Sequence, residues 1–286
     1  MVNYFLYRIA KFLAIILPRK ISYSLASFLA QLRFYFFRKD REAVIYNVKR
    51  VVGHQSSEKE IKQISKKVFI NFGKYLVDFF RFSKLNEGFI KKYVKIKNLN
   101  YLDEALSQFS GVIALTAHLG NWELGGAIVG KLGYPLYVIA LPHQNPKVNR
   151  FFDSQRNLCG VEVIPVGLAL RKCFRILKNK KIVALLGDRD FGKDGLSLEF
   201  CTKLASIPQG AAVFSIKTKV PIIPAFFIRN PDDTFSLIFE EPISPFDSQG
   251  RLKKKEELIK ECIKVIEDYV QKYPEQWYMF QPFFKE

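Results

Sequence analysis

Acidic residues are scarce in this chain of 286 residues: 27 Asp and Glu stand against 45 Lys and Arg, a formal charge of +18. An imbalance of that size calls for an acidic partner. Cysteines number four, Cys159, Cys173, Cys201 and Cys262, widely spaced and without a Cys-x-x-Cys pair. That pattern offers neither a disulfide framework nor a zinc site and fits a reduced, cytosolic environment. No Gly-x-Ser-x-Gly elbow is present, which removes the usual serine-hydrolase nucleophile. The absence of Gly-x-Gly-x-x-Gly leaves nicotinamide and flavin chemistry without a foothold. Gly187 to Asp194 only approaches a Walker A loop, because Asp194 stands where a magnesium-binding Ser or Thr belongs and residues 195–200 read as extended, not helical. No long apolar run survives either: Arg8 and Lys11 interrupt the first and Arg33 the second, short of the roughly 20 residues a span requires.

What is present is concentrated at one end. Residues 1–100 hold 21 Lys and Arg against 6 Asp and Glu, and the same third is rich in Phe and Leu, as in Tyr4 to Leu17 and Ile21 to Phe37. Basic residues set among large apolar ones suit an anionic lipid interface better than a phosphate backbone. No helix-turn-helix, zinc-finger or RRM-like signature supports nucleic acid as the partner. The expectation is monotopic anchoring, with a single snorkelling span as the alternative. Pro18-Arg-Lys20 follows the first apolar stretch with no small-residue cleavage site, so the segment is expected to stay attached.

The N-terminal region reads as helices over Tyr4–Leu17, Ile21–Phe37, Glu42–Val51 and Glu58–Leu85, the last opened by a Ser57/Glu60 capping box. After Lys95 short apolar runs alternate with amphipathic stretches. Strands are expected at Val112–Thr116, Leu136–Ala140, Glu162–Pro165, Ile182–Leu186, Ile222–Ile228 and Phe235–Phe239. Helices are expected at Trp122–Lys131, Pro146–Leu158, Ala169–Leu177, Gln209–Thr218 and Lys253–Lys272. The fold class is therefore α/β, a central mixed sheet flanked by helices. Residues 1–95 are assigned to a basic, amphipathic helical region and 96–286 to an α/β core that forms one structural unit.

Only three histidines occur, and one lies in Thr116-Ala-His-Leu-Gly-Asn-Trp-Glu-Leu-Gly-Gly126, between an apolar strand and a helix. On one regular helix His118 and Glu123 would point about 140° apart. They can meet only if His118 stays on the loop and Glu123 lies in the first helical turn, with Asn121 as N-cap. Glu123 could then fix the His118 tautomer and free the other ring nitrogen to take a proton. The competing reading is a buried histidine satisfied by backbone, with Glu123 merely favoured by the helix N-terminus. His54 and His143 fall in turn-like segments and read as structural or exposed.

This block resembles the His-x4-Asp/Glu motif of the lysophospholipid acyltransferase superfamily, in its branch of lipid A biosynthesis (lauroyl/myristoyl) acyltransferases. The likeness continues through Asn47, Arg156-Asn-Leu-Cys-Gly160, Asp188-Arg-Asp190, Ala205-Ser-Ile-Pro-Gln-Gly210 and Pro274-Glu-Gln-Trp277. It departs where the usual Phe-Phe-Gly reads Glu199-Phe-Cys-Thr202. The resemblance implies an acyltransferase with His118 as general base and Glu123 orienting it. Arg156, Asp188, Arg189, Asp190 and Glu199 would contact substrate, with a bridged, self-satisfied turn as the alternative for 188–190. Oxyanion donors would be the amides around Leu119 to Asn121, or Arg156. No metal or cofactor is implied, only an acyl thioester co-substrate, acyl carrier protein or coenzyme A. The acceptor would be a glycolipid resembling a lipid A precursor, with a phosphatidylinositol mannoside or lysophospholipid as rivals, at the cytoplasmic face of a bacterial inner membrane. A noncatalytic membrane-binding protein of the same fold is the reading from another class.

Overall fold

The computed structural model describes residues 2–53, 56–190 and 194–285; the expectation for His54 lies outside them. Four helices open the chain: α1 (Val2–Ile16), α2 (Arg19–Phe36), α3 (Arg38–Val52) and α4 (Glu58–Phe80). The Ser57/Glu60 capping box forms at α4 as expected. That helix stops at Phe80, short of Leu85, and continues as a 3-10 turn over Phe82–Lys84.

The remaining elements are α5 (Glu87–Tyr93), β1 (Val94–Lys97), α6 (Asn100–Gln108), β2 (Gly111–Thr116), α7 (Trp122–Lys131), β3 (Leu136–Ala140), α8 (Pro146–Asn157), β4 (Glu162–Pro165), α9 (Ala169–Leu177), β5 (Lys181–Leu186), β6 (Leu196–Phe200), β7 (Lys203–Ile207), α10 (Gly210–Thr218), β8 (Ile222–Arg229), β9 (Phe235–Phe239) and α11 (Lys255–Lys272). Seven strands form one sheet in the order β1-β9-β8-β2-β5-β3-β4, parallel except for the β8–β9 hairpin pairing. The expected α/β class with a mixed sheet is what forms. β6 and β7 make a separate antiparallel hairpin.

Position in the sheet follows from sequence pattern. Val112, Ile113 and Leu115 point to alternate faces yet all are buried, as a strand covered on both sides requires. β2 accordingly takes the centre, between β5 and β8. Its register with β5 pairs Thr116 with Leu186 at the carboxyl ends. Residues two beyond each end, His118 and Asp188, thus leave the sheet side by side, at the edge where α/β sites gather.

Two apolar layers sandwich the sheet. One face packs under α9, α10 and α11 through residues such as Ile113, Phe226 and Ile266; the other packs under α4, α7 and α8 through Val112, Ile128 and Phe152. A third cluster ties α2, α3 and α4 to Tyr278 through Phe34, Val48 and Phe69.

Candidate active site

His118 is fixed by a carboxylate from the neighbouring strand. Its backbone N–H donates to Asp188 Oδ2 at 2.9 Å and its ring Nδ1 lies 2.9 Å from Asp188 Oδ1. Trp277 Nε1 donates to the same Oδ2 at 2.9 Å. Asp188 is wholly buried. Burial alone would push its carboxyl up, but the His118 charge, the His118 hydrogen bonds and the Trp277 donor together hold it below the ordinary carboxylate range. An ionised carboxylate only accepts, so Nδ1 is the donor, and in the neutral ring the lone pair lies on Nε2.

The loop bearing His118 is clamped on both flanks. Tyr278 N–H donates to the His118 carbonyl at 2.8 Å, Gly120 N–H to the Gln276 carbonyl at 2.8 Å, and Asn121 N–H to the Phe227 carbonyl at 2.7 Å. Gly120 has φ +64°, and a Cβ there would stand 2.1 Å from the Phe227 carbonyl oxygen. Only glycine fits a backbone that close in that conformation. Asn47 closes the clamp from below, donating to the carbonyls of Met279 and Gln281 and accepting from Phe283 N–H.

Asn121 caps α7 by accepting from Leu124 N–H at 3.1 Å, as its place in the sequence suggests. Its amide also donates to Asp78 on α4 at 2.9 Å. Asp78 accepts as well from the Tyr23 hydroxyl on α2 and from the Arg229 guanidinium at the end of β8. All four residues are buried. Burial and the Asp78 charge push the Tyr23 phenol far up, while Arg229 is raised because Asp78 and Tyr23 outweigh its desolvation.

Glu123 does lie in the first turn of α7, but its partner is Arg156, whose Nη2 and Nε donate to it at 2.5 and 3.0 Å. Both side chains are mostly buried, and Arg156 also reaches Asp153 at 3.3 Å. Desolvation works against the guanidinium charge; Glu123 more than offsets it and raises the Arg156 pKa. The structure therefore departs from the His118–Glu123 dyad suggested by the spacing. Asp188 orients His118 because the β2–β5 register delivers it there, whereas Glu123 is turned toward α8.

The other expected site residues separate. Arg189 lines the cleft beside His118 and donates to Gln281 Oε1 at 2.6 Å. Asp190 accepts from Gly195 N–H and the Ser206 hydroxyl, both at 2.9 Å, tying the loop to β7. Glu199 is exposed on β6 and is not among the cleft-lining residues, because hairpin alternation turns it outward. Of the expected oxyanion amides, Gly120 and Asn121 already donate to carbonyls; Arg33, Arg156 and Arg189 are guanidinium donors that line the cleft. His143 stands at the rim with its ring 4.5 Å from that of Phe152.

His118, Glu123, Arg156 and Arg189 border a cleft of about 1200 Å³. Beyond this polar mouth an apolar arm runs across the sheet face, lined by Ala114, Val138, Ala184, Ile223, Ala225 and Leu237, with Gly125 and Gly126 of α7 above it. No group of three His, Cys, Asp or Glu residues able to hold a metal occurs among the described residues.

A family model for bacterial lipid A biosynthesis acyltransferases matches residues 1–286. The chain belongs to that family. Relatives within reach of it include a phosphatidylinositol mannoside acyltransferase of Mycobacterium tuberculosis, 27% identical over 54% of this chain and 51% of the relative. This chain thus spans about half the length of that relative. A lipid A biosynthesis palmitoleoyltransferase of Escherichia coli is 22% identical over 87% of this chain and 80% of its own length. The phosphatidylinositol mannoside acyltransferase of Mycolicibacterium smegmatis is 21% identical over 82% and 77%. For this family member, the sequence reading placed Asp188 with the substrate contacts and quoted Trp277 only as part of the likeness. Trp277 holds Asp188, which in turn holds His118; a residue two beyond each of two parallel apolar runs is the sequence signal for the Asp188–His118 pair.

Proposed function

We propose that this protein is an acyltransferase that moves a fatty acyl group from an acyl thioester, carried by acyl carrier protein, to a hydroxyl of a membrane glycolipid. The observation that carries this reading is His118 held by Asp188 at the mouth of a cleft whose far arm is apolar. Nε2 of His118 takes the proton of the acceptor hydroxyl as its oxygen attacks the thioester carbonyl. Asp188 stabilises the imidazolium so formed. The tetrahedral oxyanion is met by Arg156 or Arg189. Collapse breaks the C–S bond, and the departing thiolate receives the proton from His118, leaving an ester and a free thiol.

In this reading the apolar arm holds the acyl chain, and the Glu123–Arg156 pair meets the polar part of a substrate. Peripheral membrane docking supplies the acceptor. Phe5, Ile9, Phe12, Phe28 and Phe36 are exposed on α1 and α2, with Phe36 at 78%, a concentration of apolar surface that marks an interaction face. Among the described residues no helix is long and apolar enough to cross a membrane. The acidic surface of acyl carrier protein suits the net charge of +18. The mycobacterial relatives favour a second acceptor, a phosphatidylinositol mannoside.

The test is transfer of a labelled acyl group from acyl carrier protein to extracted bacterial lipids by wild type and His118→Ala. A labelled glycolipid formed only by wild type is the expected result. Equal transfer by a folded His118→Ala protein would end the general-base mechanism, and no transfer by wild type would end the reading as a whole.

A further inference from the structure

A second apolar groove lies outside the cleft, between α1, α2 and α4, with a volume of about 270 Å³. Its α2 wall is the stripe Ser22, Leu25, Ala26, Leu29, Ala30 and Arg33, at helical spacing. From Ser22 to Arg33 that wall runs roughly 16 Å at the helical rise per residue. Gly73 lets α4 close tightly onto α2 and forms the floor of the groove: a Cβ on Gly73 would lie 3.0 Å from the Ala26 carbonyl and 3.3 Å from the Ala30 methyl.

Its two margins lead to different places. Leu13, Leu25 and Leu29 line the groove and also belong to the exposed apolar surface of α1 and α2. Arg33, Phe72 and Leu76 line the groove and also line the cleft that contains His118. The groove therefore joins the face that meets lipid to the site that performs chemistry.

We infer that this groove holds one fatty-acyl tail of the acceptor lipid. The inference rests on the acceptor being a membrane lipid, as proposed above. A tail lying along the seam of α2 and α4, beside α1, enters sideways from the leaflet, and its polar head emerges past Arg33 into the cleft. Arg33, ion-paired with Asp40 at 2.6 Å and half exposed, gives that junction a guanidinium suited to an anionic head group. The donor's acyl chain has its own place in the arm beneath His118, so two chains are kept apart by α4.

The test uses the full chain on phosphatidylglycerol vesicles that contain a phospholipid with a diazirine in one tail, followed by illumination and peptide mapping. Labels on the segments holding Ala26, Ala30 and Phe72 are expected. Ala10→Phe and Ala26→Leu, which fill the groove from different helices, should each lower that labelling about tenfold, since exclusion of even two methylenes costs that much affinity. Sedimentation with vesicles should be unchanged for both. Labels confined to outward side chains such as Phe12 and Phe28, or groove labels indifferent to both variants, would overturn the inference, as would stronger labelling by a diazirine-tailed acyl-coenzyme A than by the phospholipid. None of these readouts needs turnover, so they decide the point even if acyl transfer is never seen.

Discussion

Asp188 grips His118 twice, once through the ring and once through the backbone amide. The double hold sets ring position and tautomer together, which a single side-chain bond would not. Asp188→Asn removes the acceptor that fixes the tautomer and is expected to lower kcat by about two to four orders of magnitude, with KM little changed. Steady-state acyl transfer at several acceptor concentrations checks this. A loss confined to KM would reassign Asp188 to substrate binding.

Glu123→Ala leaves the mostly buried Arg156 with its longer contact to Asp153 at 3.3 Å. Removing one partner of a pair this enclosed should cost about 3–5 kcal/mol of stability, read as a lower urea midpoint. The double replacement Glu123→Leu with Arg156→Met should recover much of that loss while leaving transfer impaired. Recovery of activity together with stability would show that the pair serves the fold alone.

Acid sensitivity follows from the lowered pKa of Asp188. A carboxyl depressed in the folded state contributes stability that is full above its unfolded value, near 3.8, and is lost as pH falls through the folded value. The urea midpoint of wild type should therefore fall more steeply below about pH 4 than that of Asp188→Asn. Parallel curves would mean that other carboxylates dominate.

The strands fared better than the chemistry in the sequence, for physical reasons. Leu136–Ala140, Glu162–Pro165, Phe235–Phe239 and α7 agree with expectation to the residue, because predominantly apolar runs with polar or turn-forming residues close to their ends carry their own limits. β1 was missed: Val94-Lys-Ile-Lys97 alternates half-buried with exposed residues at the sheet edge and is only four residues long, too short for periodicity to speak. β7 and α6 were missed likewise, β7 although it pairs with the adjacent β6 across a two-residue turn. The difference at the site has its origin in strand pairing. Glu123 is near His118 in sequence, while Asp188 is near it in space, and only the β2–β5 register makes the second neighbour the nearer one.

The thiols offer a simple check on the packing. Burial pushes Cys159 and Cys173 up to about 11 and Cys201 and Cys262 up to about 12. At pH 8 all four should resist alkylation in the native protein and react once it is unfolded in urea. Fast labelling of any one of them in native buffer would show local opening around it.

Tyr23→Phe is the sharpest probe of the buried charge cluster. It deletes one donor to Asp78 and leaves Arg229 and Asn121 in place, so a loss of about 1–3 kcal/mol is expected, together with reduced turnover because Asn121 caps the helix that follows His118. Thermal unfolding and acyl transfer measured on the same preparation test both effects; a stability loss without a change in turnover would separate the cluster from the loop.

That cluster has a consequence for how this molecule can be rebuilt. A tyrosine of α2 closes over an aspartate that also holds the asparagine beside the His118 loop. A chimaera that exchanged the first two helices for those of a relative would bring a foreign surface against Asp78 and Arg229. Successful recombination should require the junction to fall elsewhere, with Tyr23, Asp78, Asn121 and Arg229 inherited as a set.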